Sequence, residues 1–244
     1  MNDFNIRPTA RATTATRAAI DEGLRSYMVR VYNYMALGVA WTAIVALFMA
    51  ANPALMATIA MGPMKWVLFF GVLGLGWFAP RLIFSGNAAT AYIAYGAYAT
   101  LWGLLISPMI AYYMGMNSTI VVRALLITAV TFGATSLAGY VTKRDLSGFS
   151  GFFMMASIGL LIAIVVNAIF FQSEKGSLIT SILVVLLFSG ITAWETQSIK
   201  EMYVENDMPA QARSKAIFGA FILYGSFVTL FIHILNILGI MSDE

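Results

Sequence analysis

The chain contains no cysteine, one histidine and few charges: 10% of its 244 residues are Asp, Glu, Lys or Arg. Without cysteine there are no disulfides and no thiolate metal sites. His233 alone cannot supply a histidine-based metal centre. A soluble surface needs roughly a quarter of residues charged, and here the charge is too sparse and too clustered for that. Residues 31–64, 82–122, 146–173 and 216–242 contain no charged side chain at all. Also missing are a Gly-rich phosphate loop, a nucleophile elbow and a cluster of metal ligands, so the sequence offers no catalytic machinery. The net charge of +3 would suit nucleic acid, but its distribution fits membrane topology better.

What is present is apolar: 60% of the residues. Each charge-free window can hold a span of about 20 residues. The apolar runs and their breaks predict an all-α, polytopic membrane protein with seven spans, near 31–51, 66–84, 88–115, 120–141, 149–171, 177–199 and 216–240. The third is bounded by Ser85-Gly86-Asn87 and by Gly115-Met116-Asn117-Ser118 and crosses once, because 28 residues cannot cross twice. Residues 1–30 form a polar tail, and 31–240 the transmembrane domain. The tail has no apolar h-region to mark a secretory signal. Its five arginines among Thr and Ala leave a transit peptide as the competitor to a cytoplasmic tail, weakened by Asp3, Asp21 and Glu22.

An inside N-terminus places 11 of the 14 basic residues inside and leaves Lys65, Arg123 and Lys175 outside. The positive-inside rule therefore predicts a cytoplasmic N-terminus and, after seven spans, an external C-terminus with Asp243 and Glu244.

Several positions admit both a packing and a functional reading. Gly71, Gly74, Gly96, Gly103 and Ser107 read as close helix packing, and Pro108 as a kink that is either a hinge or a passive bend. Tyr92, Tyr95, Tyr98 and Trp102 read as packing and interface residues before a ligand cage. Glu195 is the acid placed inside an apolar span, where a carboxylate costs on the order of 2.5–3.5 kcal/mol. It either faces a protein interior or a water-filled path, or it snorkels toward the inner interface past Lys200. Arg81, near the inner end of the second span, is a candidate ionic partner for it. On the seventh span Ser226, Thr229, His233 and Asn236 fall within about an 80° arc. They serve either interhelical hydrogen bonds or the wall of a hydrated pathway. Thr128, Thr135 and Asn167 are a weaker set of the same kind.

Four stretches carry a family resemblance: LRSYMVRVYNYMALG at 24–38, RALLITAVTFGATSLAGYVTKRDLSG at 123–148, GLLIAIVVNAIF at 159–170 and FSGITAWETQSIK at 188–200. With LISP at 105–108 they resemble the Bax inhibitor 1 (transmembrane Bax inhibitor motif) family in its bacterial branch. The resemblance implies six helices around a central one and a pH-sensitive calcium leak. It also implies a gate of two aspartates on the sixth and seventh helices, latched by an arginine at the inner end of the second. Those positions are Glu195, Ser226 and Arg81 here. Glu for Asp lengthens one arm by a methylene. Ser for Asp removes the second carboxylate, and with it both the shared proton and part of the charge that would bind calcium.

Two functions follow as expectations. One is a calcium leak in the bacterial inner membrane, gated at the inner end of helices 2, 6 and 7. It would need no cofactor beyond weakly bound calcium, held in part by Glu195. The other is a non-conducting module that modulates a membrane-bound AAA+ protease. Lipid is the surrounding partner in both, and nucleic acid in neither.

Overall fold

The computed structural model describes residues 9–242, with side chains from Asp21 onward apart from Pro53, Ala60 and Met61. Asp243, Glu244 and the first part of the polar tail lie outside the described residues. The described residues form helices and no strand: α1 (Thr9–Ala50), α2 (Pro53–Met61), α3 (Met64–Ile83), α4 (Ala88–Val141), α5 (Ser150–Val166), α6 (Glu174–Glu201) and α7 (Pro209–Ser242). A 3₁₀ turn at Ser147–Phe149 leads into α5, and a π turn at Asn167–Phe171 follows it.

Local chemistry sets the ends. Asn87 caps α4 by accepting the Ala89 N–H at 2.9 Å, and Ser173 caps α6 by accepting the Gly176 N–H. Gly86, at φ +85°, turns the chain between α3 and α4, where a side chain would be strained. Proline begins α2, which has nine residues and is too short to cross a bilayer.

Six described helices are long and apolar enough to cross a membrane, and α4 is one of them with 54 residues. It consists of two limbs, 88–116 and 118–141, broken at Asn117 (φ −159°, ψ 108°). Asn117 Oδ1 accepts the Thr119 N–H at 3.0 Å and caps the second limb. The limbs run in opposite directions, as their contacts with one turn of α1 require. Tyr34 meets Tyr92 of the first limb (Oη to Oη, 3.0 Å), while Tyr32 meets Ser136 of the second (2.7 Å). Residues 44 positions apart reach the same level only if the chain doubles back. The spans therefore number seven, and the predicted break at 115–118 is the place of reversal. Pro108 lies within the first limb without a break.

The core is built around α7. Two thirds of its apolar stretch is buried (67%), against 28% or less for the other spans. It packs against α1, α3, α4 and α6, while α5 packs chiefly on α6 and has no buried residue. Close approaches rest on glycine. A Cβ at Gly219 would lie 2.9 Å from Ile199 of α6, and one at Gly103 2.8 Å from Val45 of α1. Gly139 of α4 lies against the backbone carbonyl of Ala193. Of the small residues read as packing positions, Gly74 and Gly96 meet nothing within 4 Å and face outward. Tyr95 and Tyr98 pack in the core, Tyr95 donating to the Tyr34 carbonyl at 3.0 Å.

α1 runs through residue 30, and Tyr27 and Met28 are buried in the bundle. Exposed Asp21, Glu22, Arg25 and Arg30 share this stretch of the helix with buried Tyr27 and Met28.

Substituting Gly139→Ala is expected to destabilise the protein by about 1–3 kcal/mol, because the added methyl must push two backbones apart. Gly133→Ala, on the open side of the same limb where a Cβ meets nothing within 4 Å, should be neutral or stabilising by up to about 1 kcal/mol. Thermal unfolding of both variants in detergent checks this. Equal melting curves would mean that the α4–α6 crossing is looser than described.

Candidate functional site

Residues 192–200 of α6 carry several polar contacts, and successive side chains point to different neighbours because each step turns about 100°. Thr192, Thr196 and Ile199 face the core and are fully buried. Thr196 hydrogen-bonds Ser136 of α4 (2.8 Å), and Ser136 in turn bonds Tyr32 of α1. Gln197 reaches the loop after α4. Its Oε1 accepts the Leu146 N–H at 2.8 Å, and its Nε2 donates to the Arg144 carbonyl at 2.9 Å. Lys200 donates to the Tyr140 carbonyl at 3.0 Å and lies 5.3 Å over the Tyr140 ring. Within the loop, hydrogen bonds from Ser147 hold the exposed Asp145 carboxyl below its ordinary pKa.

Glu195 turns toward α7, where Ser226 Oγ donates to its Oε2 at 2.6 Å. Ser226 is buried, and Glu195 is half-buried. The polar stripe of α7 continues along the same partner. His233 Nδ1 lies 3.0 Å from Ser181 Oγ, and Asn236 Nδ2 donates to Ser177 and Ser181 at 2.8 and 2.9 Å. Thr229 bonds the Gly225 carbonyl of its own helix. Ser226, His233 and Asn236 thus form a polar seam between α6 and α7, as the interhelical reading expects. Between its two ends Val184, Leu187 and Ile191 of α6 and Phe227 and Leu230 of α7 are buried and apolar. Thr128, Thr135 and Asn167 bond nearby backbone instead.

The expected latch does not form. Arg81 is exposed, and its guanidinium lies 6.0 Å from the centroid of the Phe78 ring. The ion pair found among the described residues is Lys215–Asp207, at 2.6 Å. The cause is architectural: α3 leans on α4 and α7, away from the α6 face that carries Glu195. Ser226 also satisfies the carboxylate locally with a neutral donor. Among the described residues no three His, Cys, Asp or Glu side chains cluster as a metal site.

Glu195 has a second neighbour. It lines a cleft of about 490 Å³ between α5 and α6, together with Phe153, Ser157, Phe188 and Trp194.

Gln197, Lys200, Ser136, Ser177 and Ser181 are absent from the sequence-based candidates. The four-residue spacing of Ser177 and Ser181 on α6 was a usable signal, since it pairs with the three-residue spacing of His233 and Asn236 on α7. Gln197 and Lys200 carried no such signal, because their partners are backbone groups of another segment.

A central helix seamed by hydrogen bonds to its neighbour, inside a shell of outward-facing apolar spans, defines a polytopic α-helical membrane protein. The model of the family described as "Inhibitor of apoptosis-promoting Bax1" matches residues 24–243. An uncharacterised protein of Rickettsia prowazekii is 38% identical over 242 residues, 95% of this chain and 96% of its own length. Another from Deinococcus radiodurans is 37% identical over 216 residues, 88% of this chain and 90% of its own. The inner membrane protein YbhL of Escherichia coli is 34% identical over 220 residues, 89% of this chain and 92% of YbhL. The chain belongs to the Bax inhibitor family.

Gln197→Ala is expected to destabilise the protein by about 2 kcal/mol, from two lost hydrogen bonds at about 1 kcal/mol each. Gln197→Glu keeps the acceptor for Leu146 but sets a carboxylate oxygen against the Arg144 carbonyl at a buried position, and should cost more than Gln197→Ala. Proteolysis at the 142–148 loop should speed up in the same order, and unchanged cleavage in both variants would count against this tether.

Proposed function

We propose that this protein is a calcium leak of the inner membrane, pH-sensitive and closed at the α6–α7 contact, with no catalytic reaction of its own. The observation that carries the reading is the Ser226–Glu195 hydrogen bond at 2.6 Å. It places an acid of a spanning segment at the contact between the central helix and its neighbour. Acids in spans usually face a protein interior or a water-filled path, because a carboxylate at mid-membrane costs on the order of 2.5–3.5 kcal/mol. Polar groups lie at both ends of the α6–α7 seam, and an apolar section of about 10 Å separates Ser226 from His233. That section has the character of a dewetted constriction. Opening would part α6 from α7, hydrate the apolar section and exchange the Ser226 hydroxyl for water or the ion. Calcium would bind weakly at a single carboxylate, as a leak requires, because an ion held tightly does not leave. A proton on Glu195 removes the charge that attracts the ion, so flux should respond to pH through this residue.

The protein would sit with its N-terminus in the cytoplasm and its C-terminus outside, by the distribution of basic residues. Reporter fusions check this: a cytoplasmic reporter should work at the N-terminus and a periplasmic one at the C-terminus. A C-terminal fusion active only in the cytoplasm would overturn the orientation.

Calcium flux into vesicles containing only this protein tests the function. Glu195→Gln should flatten the pH–flux curve, and His233→Gln should leave it nearly unchanged. Ser226→Asp should steepen it several-fold, because two adjacent carboxylates share a proton. The reverse ranking of the first two would move the sensor to His233. Absence of calcium flux at every pH would remove the leak and favour the other role, modulation of a membrane-bound AAA+ protease.

A further inference from the structure

The cleft between α5 and α6 combines features that a packing defect lacks. Phe153 of α5 and Phe188 and Trp194 of α6 supply aromatic faces, with the Phe153 and Trp194 rings 6.1 Å apart at 46°. Glu195 supplies a negative charge when ionised, and Ser226 occupies one of its two oxygens. No basic side chain lines the cleft, and among the described residues Glu195 makes no ion pair. The space, about 490 Å³, is an open groove rather than an enclosed pocket. It opens sideways: α5 has no buried residue, and a Cβ at Gly151, near the inner end, would meet nothing within 4 Å.

We propose that this cleft binds a lipophilic organic cation, a quaternary ammonium or phosphonium carrying aromatic or alkyl groups, which enters from the lipid between α5 and α6. The chemistry selects this class. A hard divalent ion needs six to eight oxygens, and the cleft offers one carboxylate. A neutral apolar molecule would cover Glu195 and leave its charge without compensation, and an anion would be repelled. A lipophilic monocation matches one negative charge, and its positive charge is attracted to the faces of Phe and Trp. Its apolar substituents concentrate it in the bilayer from which the cleft is reached. The bound cation would give Glu195 the counter-charge that Arg81 does not provide.

Two ions of nearly the same shape and opposite charge make the test direct. The purified full-length protein in detergent is titrated calorimetrically with tetraphenylphosphonium and with tetraphenylborate, against protein-free micelles. Tetraphenylphosphonium should bind at least tenfold more tightly than tetraphenylborate. Glu195→Gln should abolish that preference. Ser157→Trp fills the cleft from α5 while leaving the carboxylate in place, and it should weaken tetraphenylphosphonium binding at least tenfold. Melting curves confirm that each variant is folded; if Glu195→Gln is not, the two ions and Ser157→Trp decide alone. Equal binding of the two ions, or full binding by folded Ser157→Trp, would overturn the proposal. The measurement involves no ion flux, so it stands or falls separately from the calcium leak.

Discussion

A helix enclosed by other helices within a bilayer gains little from hydrophobicity in choosing its neighbours, because lipid tails are as apolar as leucine. Its position must come from close backbone approach and from hydrogen bonds. α7 uses both. Gly219 lets α6 and α1 press in near one end, and Gly239 admits the Tyr113 ring near the other. Along the α6 side, Ser226, His233 and Asn236 each find a polar partner. These contacts set the rotation and height of α7, and α1, α3 and both limbs of α4 pack onto the helix so placed.

The same seam explains how this chain accommodates a single acid where the resemblance implied two. Two carboxylates in lipid need a shared proton or a nearby cation. One carboxylate facing a serine needs neither for its hydrogen bonding, because the hydroxyl donates and has no charge to offset. Arg81 lies exposed near the end of α3, its guanidinium 6.0 Å from the centroid of the Phe78 ring.

Much of this was legible in the sequence because the bilayer enforces a simple code. Apolar runs and their breaks located the spans, and Asn117 marked the reversal inside an otherwise continuous helix. The inward direction of Ser226, His233 and Asn236 followed from their arc, and the juxtaposition of Glu195 with Ser226 from the family pattern. Other features had no sequence signature. α2 is apolar but too short to announce itself as a span. The burial of Tyr27 and Met28 depends on where α7 begins, not on the polar residues around them. Which helix α3 leans on decides the fate of Arg81, and apolar composition is silent on neighbours. The marginal position of α5 was hidden for the same reason, since a lipid-facing helix and a core helix are equally apolar in sequence.

The Gln197 tether has a mechanical consequence. Gln197 sits two residues past Glu195, about 200° around α6, and clasps both a donor and an acceptor of the loop that leads from α4 to α5. A twist of α6 that swung Glu195 off Ser226 would also drag the amide from that clasp. Glu195 is therefore braked against rotation by a loop at the membrane surface. A sideways separation of α6 from α7 that does not turn α6 leaves the clasp intact, because the loop bonds Gln197 and not α7.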